Sequence, residues 1–135
     1  MSTQRLFLDT TFIQAVLNHR DQYHLPAIAL LPQVQQAKEV WTTEAILMEV
    51  GNALSNQDRS ATAAFLQRLY TTPNVKVVSI DPPLFQEGLE LYKSRTDKTW
   101  GLVDCISFIV MTRNKLSQAL TADRHFKQAG FQTLL

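Results

Sequence analysis

Four acids in this chain stand where an ordinary solvated charge is not expected: Asp9, Glu49, Asp104 and Asp123. Asp9 follows the short apolar run Leu6-Phe7-Leu8, the pattern of a strand buried on both faces, and precedes Thr10-Thr11-Phe12-Ile13, which reads as a helix start. Asp123 follows Leu120-Thr121-Ala122 in the same way. Functional crevices of open α/β sheets lie at the carboxyl ends of strands, which would place both carboxylates in such a crevice; both also suit a helix N-cap. Asp104 is the sole charge between Leu102 and Met111, a segment apolar almost all round. The macrodipole favours an acid in a first helical turn by ~0.3 to 1 kcal/mol, less than burial of an unpaired carboxylate costs. Asp104 therefore needs a cation, a basic partner or a wet cleft.

Glu49 is tested by angle on its own helix, at about 100° per residue. It falls roughly 40° from Ala53 and about 60° from Ile46, at the margin of the stripe Ile46, Val50, Ala53 and Leu54, and is expected partly inside. Glu44 lies far from that stripe and reads as solvated. Thr10, Asn52 and Thr121 are the polar neighbours expected to orient the acids; Asn52 lies about 60° from Glu49 on the same wheel. Four carboxylates in one cleft repel, by on the order of 3 kcal/mol for each pair near 5 Å at an effective dielectric of about 20. A divalent cation offsets that repulsion, and all-oxygen ligation is the preference of Mg2+ and Mn2+. Zinc does not fit: His19, His24 and His125 lack the paired spacing of a zinc site, and Cys105 falls in the apolar helix. The histidines are expected at the surface, with His125 a phosphate or base contact because it follows Asp123.

The elements that must position these acids alternate. Strands are expected at Leu6–Leu8, Glu39–Thr42, Val75–Ile80, Gln118–Ala122 and Phe131–Leu135. Helices are expected at Thr10–Asn18, Gln22–Lys38 with Pro26 and Pro32 inside it, Thr43–Asn56, Asp58–Thr71, Asp81–Lys93, Gly101–Asn114 and Asp123–Ala129. Asp81, followed by Pro82 and Pro83, has the signature of a cap and is given no chemistry. Strands alternating with helices argue for an α/β fold with a parallel sheet covered on both faces.

The bulk composition sets limits. With 135 residues, 45% hydrophobic and 19% charged, the chain suits one domain over residues 1–135. Thirteen basic against twelve acidic side chains give a charge of +1, so contact with nucleic acid must rest on a local patch. One cysteine excludes an internal disulfide. With no signal-peptide layout and no apolar run of membrane-spanning length, a cytoplasmic protein is expected.

At four places the sequence resembles the PIN domain, in particular the small VapC-type ribonuclease toxins. They are Leu8-Asp9-Thr10, Leu47-Met48-Glu49-Val50-Gly51-Asn52-Ala53-Leu54, Trp100-Gly101-Leu102-Val103-Asp104-Cys105-Ile106-Ser107-Phe108 and Leu120-Thr121-Ala122-Asp123-Arg124-His125-Phe126. The resemblance implies a three-layer α/β/α sandwich with a mainly parallel central sheet, a homodimer, and metal-dependent endoribonuclease activity neutralised by an antitoxin protein encoded beside it. By the same resemblance Asp9 and Asp104 are the principal metal ligands, with Asp123 and Glu49 completing the site directly or through water. Lys98, Arg124 and Lys127 are then the candidates for RNA phosphates, and Trp100 either stacks on a base or packs the start of its helix. Ile28, Leu30, Leu31 and Val34 form either part of an antitoxin groove or ordinary core. Haloacid dehalogenase phosphatases resemble Asp-x-Asp at the first strand, where this chain has Asp9-Thr10-Thr11, and a receiver domain needs an acid pair and a late lysine that are missing. The alternative from another class is a PIN-like module that binds RNA or protein and cleaves little.

Overall fold

Leu6, Phe7 and Leu8 are buried to 2% exposure or less, as a strand covered on both faces requires, and they form the middle of the sheet. The computed structural model describes residues 2–135. The elements run β1 (Arg5–Leu8), α1 (Thr10–Leu17), α2 (His24–Gln36), β2 (Glu39–Thr43), α3 (Glu44–Ala53), α4 (Arg59–Thr71), β3 (Val75–Val78), α5 (Pro82–Ser94), α6 (Leu102–Arg113), β4 (Gln118–Leu120), α7 (Arg124–Gln128) and β5 (Gln132–Leu134). The strand order is β3-β2-β1-β4-β5 and every pairing is parallel.

That order dictates where the helices lie. Crossovers between parallel strands are right-handed, so the connections stepping from β1 to β2 to β3 place α1 to α4 on one face. The chain then returns past β1, and α5 to α7 cover the other face. Helix contacts fall into the same two groups: α1 meets α2 and α3, and α3 meets α4, whereas α6 meets α5 and α7. The result is a three-layer α/β/α sandwich. The direction of travel reverses between β1 and β4, and at such a switch point the loops after the two strands part and leave a crevice. Asp9 and the segment Thr121-Ala122-Asp123 are the residues that follow these two strands.

Local chemistry explains most boundaries. Asp58 and Asp81 cap α4 and α5 by accepting the amides of Ala61 at 3.0 Å and Leu84 at 2.9 Å, and Pro82 opens α5 where its missing amide is not needed. Pro26 occupies the first turn of α2, while Pro32 lies on its exposed side without ending the helix, because a carbonyl left unpaired there can be hydrated. Strand β4 ends at Leu120, two residues earlier than the pattern suggests, which frees Thr121 and Ala122 for side-chain partners. Among the described residues no helix is long and apolar enough to cross a membrane.

Helix α6, which carries Asp104, is set by its packing on α5. A Cβ added at Gly88 of α5 would meet the Ile106 Cγ1 atom at 2.5 Å, too close for any real contact, whereas one added at Gly51 of α3 would meet nothing within 4 Å. Gly88→Ala is therefore expected to destabilise by about 1 to 3 kcal/mol through overpacking. Gly51→Ala is expected to stabilise by up to about 1 kcal/mol through helix propensity. Urea midpoints of the two variants against the parent check both signs.

Candidate active site

Asp9 is 4% exposed, and its carboxylate is not spent on capping α1: the side chain makes no capping hydrogen bond. Its Oδ2 instead accepts the hydroxyls of Thr121 at 2.7 Å and Thr11 at 3.1 Å. Each hydroxyl in turn accepts a backbone amide, Thr121 that of Asp123 and Thr11 that of Ala122, both at 3.0 Å. A hydroxyl has one proton to give, and with the amides occupying their acceptor sides both point it at Asp9. Burial pushes the Asp9 carboxyl up to about 6; the Thr121 hydroxyl, the Thr10 amide and the Thr11 hydroxyl oppose the rise, and the negative charge of Asp104 adds to it. No basic side chain pairs with Asp9 among the described residues.

Asp104 stands at the third position of α6, whose N-cap, Gly101, has no side chain to offer. Asp104 supplies the missing bond from the other side: its Oδ2 accepts the Gly101 amide at 3.1 Å. Burial raises its pKa, the Gly101 amide and His125 oppose that, and the charge of Asp123 raises it further. Asp123 does cap its helix, accepting the amide of His125 at 2.9 Å, so the cap reading holds for Asp123 and fails for Asp9. The turn folds the His125 ring back over the acids: Nδ1 lies 2.9 Å from Asp104 Oδ2 and 3.2 Å from Asp123 Oδ1. His125 is thus not the surface residue expected, and His24 is not either, since its Nδ1 meets the Ala15 carbonyl at 2.7 Å.

Glu49 is exposed rather than partly inside. The buried residues of α3 and its C-cap are Ala45, Ile46, Leu47, Val50 and Leu54, without Ala53, and their centre lies about 105° from Glu49 on the wheel. Glu49 turns into open cleft instead of core. Its orienting partner is Thr10, whose hydroxyl donates to Oε1 at 2.7 Å; no hydrogen bond joins it to Asn52, which lines the cleft beside it. Glu44, expected to be free, accepts the Tyr70 hydroxyl at 3.0 Å. Asp9, Glu49, Asp104 and Asp123 together line one open cleft of about 680 Å³, with Thr10, Thr11 and Asn52. Thr11 and His125 are the residues sequence reasoning left out of the acid cluster. The available signals were a second hydroxyl directly after Asp9 and a histidine in the turn that Asp123 caps.

Of the two readings of Trp100, the geometry fits packing at the start of its helix and not a ring open to a base. Trp100 is 7% exposed, its ring meets Phe108 edge-on at 4.9 Å, its Nε1 donates to Gln128 at 2.9 Å, and the Arg95 guanidinium covers its face at 4.8 Å. A ring enclosed in this way has no open face for a base. The Lys98 ammonium sits 4.0 Å from Asp97, while Arg124 and Lys127 are exposed on α7 beside Asp123. Of the apolar α2 residues, Ile28 is 39% exposed, and Leu30, Leu31 and Val34 are half-buried against the core.

Comparison with known proteins agrees with this geometry. The PIN domain family matches residues 6–132. The 23S rRNA-specific endonuclease VapC20 of Mycobacterium tuberculosis is 30% identical over 128 residues, covering 93% of this chain and 95% of that protein. The crystal structure of Mycobacterium tuberculosis VapC20, described as a sarcin-ricin loop cleaving toxin, superposes with a TM-score of 0.83 at 25% identity, covering 93% of this chain and 95% of the other. FitAcB from Neisseria gonorrhoeae shares the fold at a TM-score of 0.67 and 15% identity, covering 96% of each chain. With its acids in one cleft and the match running from β1 to the first residue of β5, the chain belongs to the PIN domain family.

Proposed function

We propose that this chain is a metal-dependent endoribonuclease, the toxin of a toxin–antitoxin pair, which holds Mg2+ or Mn2+ with Asp9, Glu49, Asp104 and Asp123. The observation that carries the reading is the buried carboxylate of Asp9, which has only neutral donors against it and feels the charge of Asp104 across the cleft. Such a group is costly to hold as a charge, and a cation beside it offsets that cost. The donor set is dominated by carboxylate oxygen, which suits a hard divalent ion. When bound, an ion of this kind lowers the pKa of a water and offsets charge on phosphate oxygens.

The chain's own residues hold the acceptors in place. Thr11 and Thr121 fix Asp9, Thr10 fixes Glu49, and the Gly101 amide fixes Asp104. None of these contacts neutralises a carboxylate, so the charge is kept for the ion. Arg124 and Lys127 draw RNA phosphates toward Asp123, and Lys98, half engaged by Asp97, contributes less. The match across residues 6–132 supports one PIN-like domain over residues 1–135. The likeness to VapC20, a sarcin-ricin loop cleaving toxin, supports a neutralising antitoxin as partner, with the exposed Ile28 side of α2 as its candidate contact. A homodimer and a cytoplasmic location follow from the family reading.

The substrate named for the 30% identical relative, 23S rRNA, is the first to test. Cleavage of 23S rRNA and of an unrelated structured RNA is expected with Mg2+ or Mn2+, to disappear with EDTA, and to fall by on the order of 100-fold or more in Asp9→Asn and Asp104→Asn. Metal-dependent cuts confined to one RNA name the target. Absence of cuts in both RNAs by metal-binding, antitoxin-free protein overturns the nuclease in favour of a binding module.

Repulsion within the cleft makes a second expectation, read without RNA. The Asp9 carboxyl titrates near 6 in the fold and near its ordinary 3.8 when unfolded, so the folded chain holds a proton that the unfolded one has lost. Stability from this group is full below 3.8 and drains away as pH rises through about 6, by about 3 kcal/mol in all. Metal-free protein should show that downward slope, and Asp9→Asn should lack it. At pH 7.5 Asp104→Asn should melt higher than the parent without metal and gain less from added Mg2+. A lower metal-free melting temperature for Asp104→Asn, as a lost cap would give, contradicts the clustered-carboxylate picture.

A further inference from the structure

His125 is placed as metal-ligating histidines are. One oxygen each of Asp104 and Asp123 and one ring nitrogen of His125 all lie within 4.8 Å of one another. Opposite ligands of a single ion with bonds of about 2.1 Å stand roughly 4.2 Å apart, so a closure of a few tenths of an ångström brings the three atoms to one centre. The ring is not free to leave: its side chain is 18% exposed, and its backbone amide is held by Asp123. Its outer nitrogen, Nε2, lies 3.2 Å from the Thr99 hydroxyl. A ligating histidine ordinarily has its second nitrogen tied in this way, which fixes the tautomer. With the Nε2 proton given to Thr99 Oγ1, the Nδ1 lone pair faces the two carboxylates.

We propose that His125 Nδ1 is a ligand of the cation held by Asp104 and Asp123, so that the site is a mixed nitrogen and oxygen one that favours Mn2+ over Mg2+. The inference rests on the reading of Asp104 and Asp123 as cation ligands. An imidazole adds affinity for transition ions and little for magnesium, whose demand is for oxygen. Thr99 is then a positioning residue, acting through the ring.

The test needs no RNA. Mn2+ is titrated into metal-free parent, His125→Gln and Asp104→Asn protein, with free ion read by electron paramagnetic resonance, and Mg2+ affinity is taken from competition. His125→Gln should bind Mn2+ about 10-fold more weakly with Mg2+ changed far less, and pulsed spectra of the bound ion should show a histidine nitrogen in the parent only. Unchanged Mn2+ affinity in His125→Gln together with no nitrogen coupling in the parent overturns the proposal. Loss of binding in Asp104→Asn alone leaves the cation site standing and removes His125 from it. Parental affinity in Asp104→Asn removes both readings. Should His125→Gln fail to fold, the parent and a His19→Gln/His24→Gln variant decide: coupling kept in both supports His125, and coupling lost in the variant overturns it.

Discussion

A carboxylate at 4% exposure, supported by hydroxyls and by no cation, is the constraint around which this molecule is arranged. Asp9 is largely desolvated by the same packing that makes β1 the centre of the sheet, so its charge is costly wherever the sheet is well formed. The loop after the neighbouring strand β4 supplies the Thr121 hydroxyl, and α1 supplies that of Thr11. Both hydroxyls are themselves held by the amides of the loop after β4, and this ties the two sides of the switch point into one unit.

The other acids are held by the same economy of means. Each has a neutral donor: a threonine for Glu49, a main-chain amide for Asp104, and the amide of the residue it caps toward for Asp123. Orientation is thereby separated from neutralisation. Arginine or lysine in these places would have stabilised the apo fold and left nothing for an ion to do. The basic residues nearby, Arg124 and Lys127, are kept on the outer side of α7, where they meet solvent.

How much of this can be read from the sequence depends on the distance over which each feature is decided. The apolar run of β1, the proline-marked start of α5 and the aspartate caps of α4 and α5 are local, and the structure has each of them where the pattern places it. The acids sharing a cleft follow from the alternation of strands and helices together with the rule for strand ends. What the sequence does not reveal is settled by partners far along the chain. Asp9 turns from its own helix toward Thr121, Glu49 is exposed because Leu47 rather than Ala53 completes the buried stripe, and Trp100 is closed off by Phe108 and Arg95. The fold-back of His125 is a property of the turn that Asp123 caps, and a periodicity does not report the direction of a ring.

The bond from Thr121 to Asp9 joins residues 112 positions apart, the first strand to the last quarter of the chain. During synthesis the N-terminal half can build β1, β2 and β3 with their covering helices, yet Asp9 then has no hydroxyl from β4, and neither Asp104 nor Asp123 has left the ribosome. The cleft comes into being only when β4 slots in beside β1. Until then the acids are not gathered in one place, and a product truncated before β4 lacks both Thr121 and Asp123.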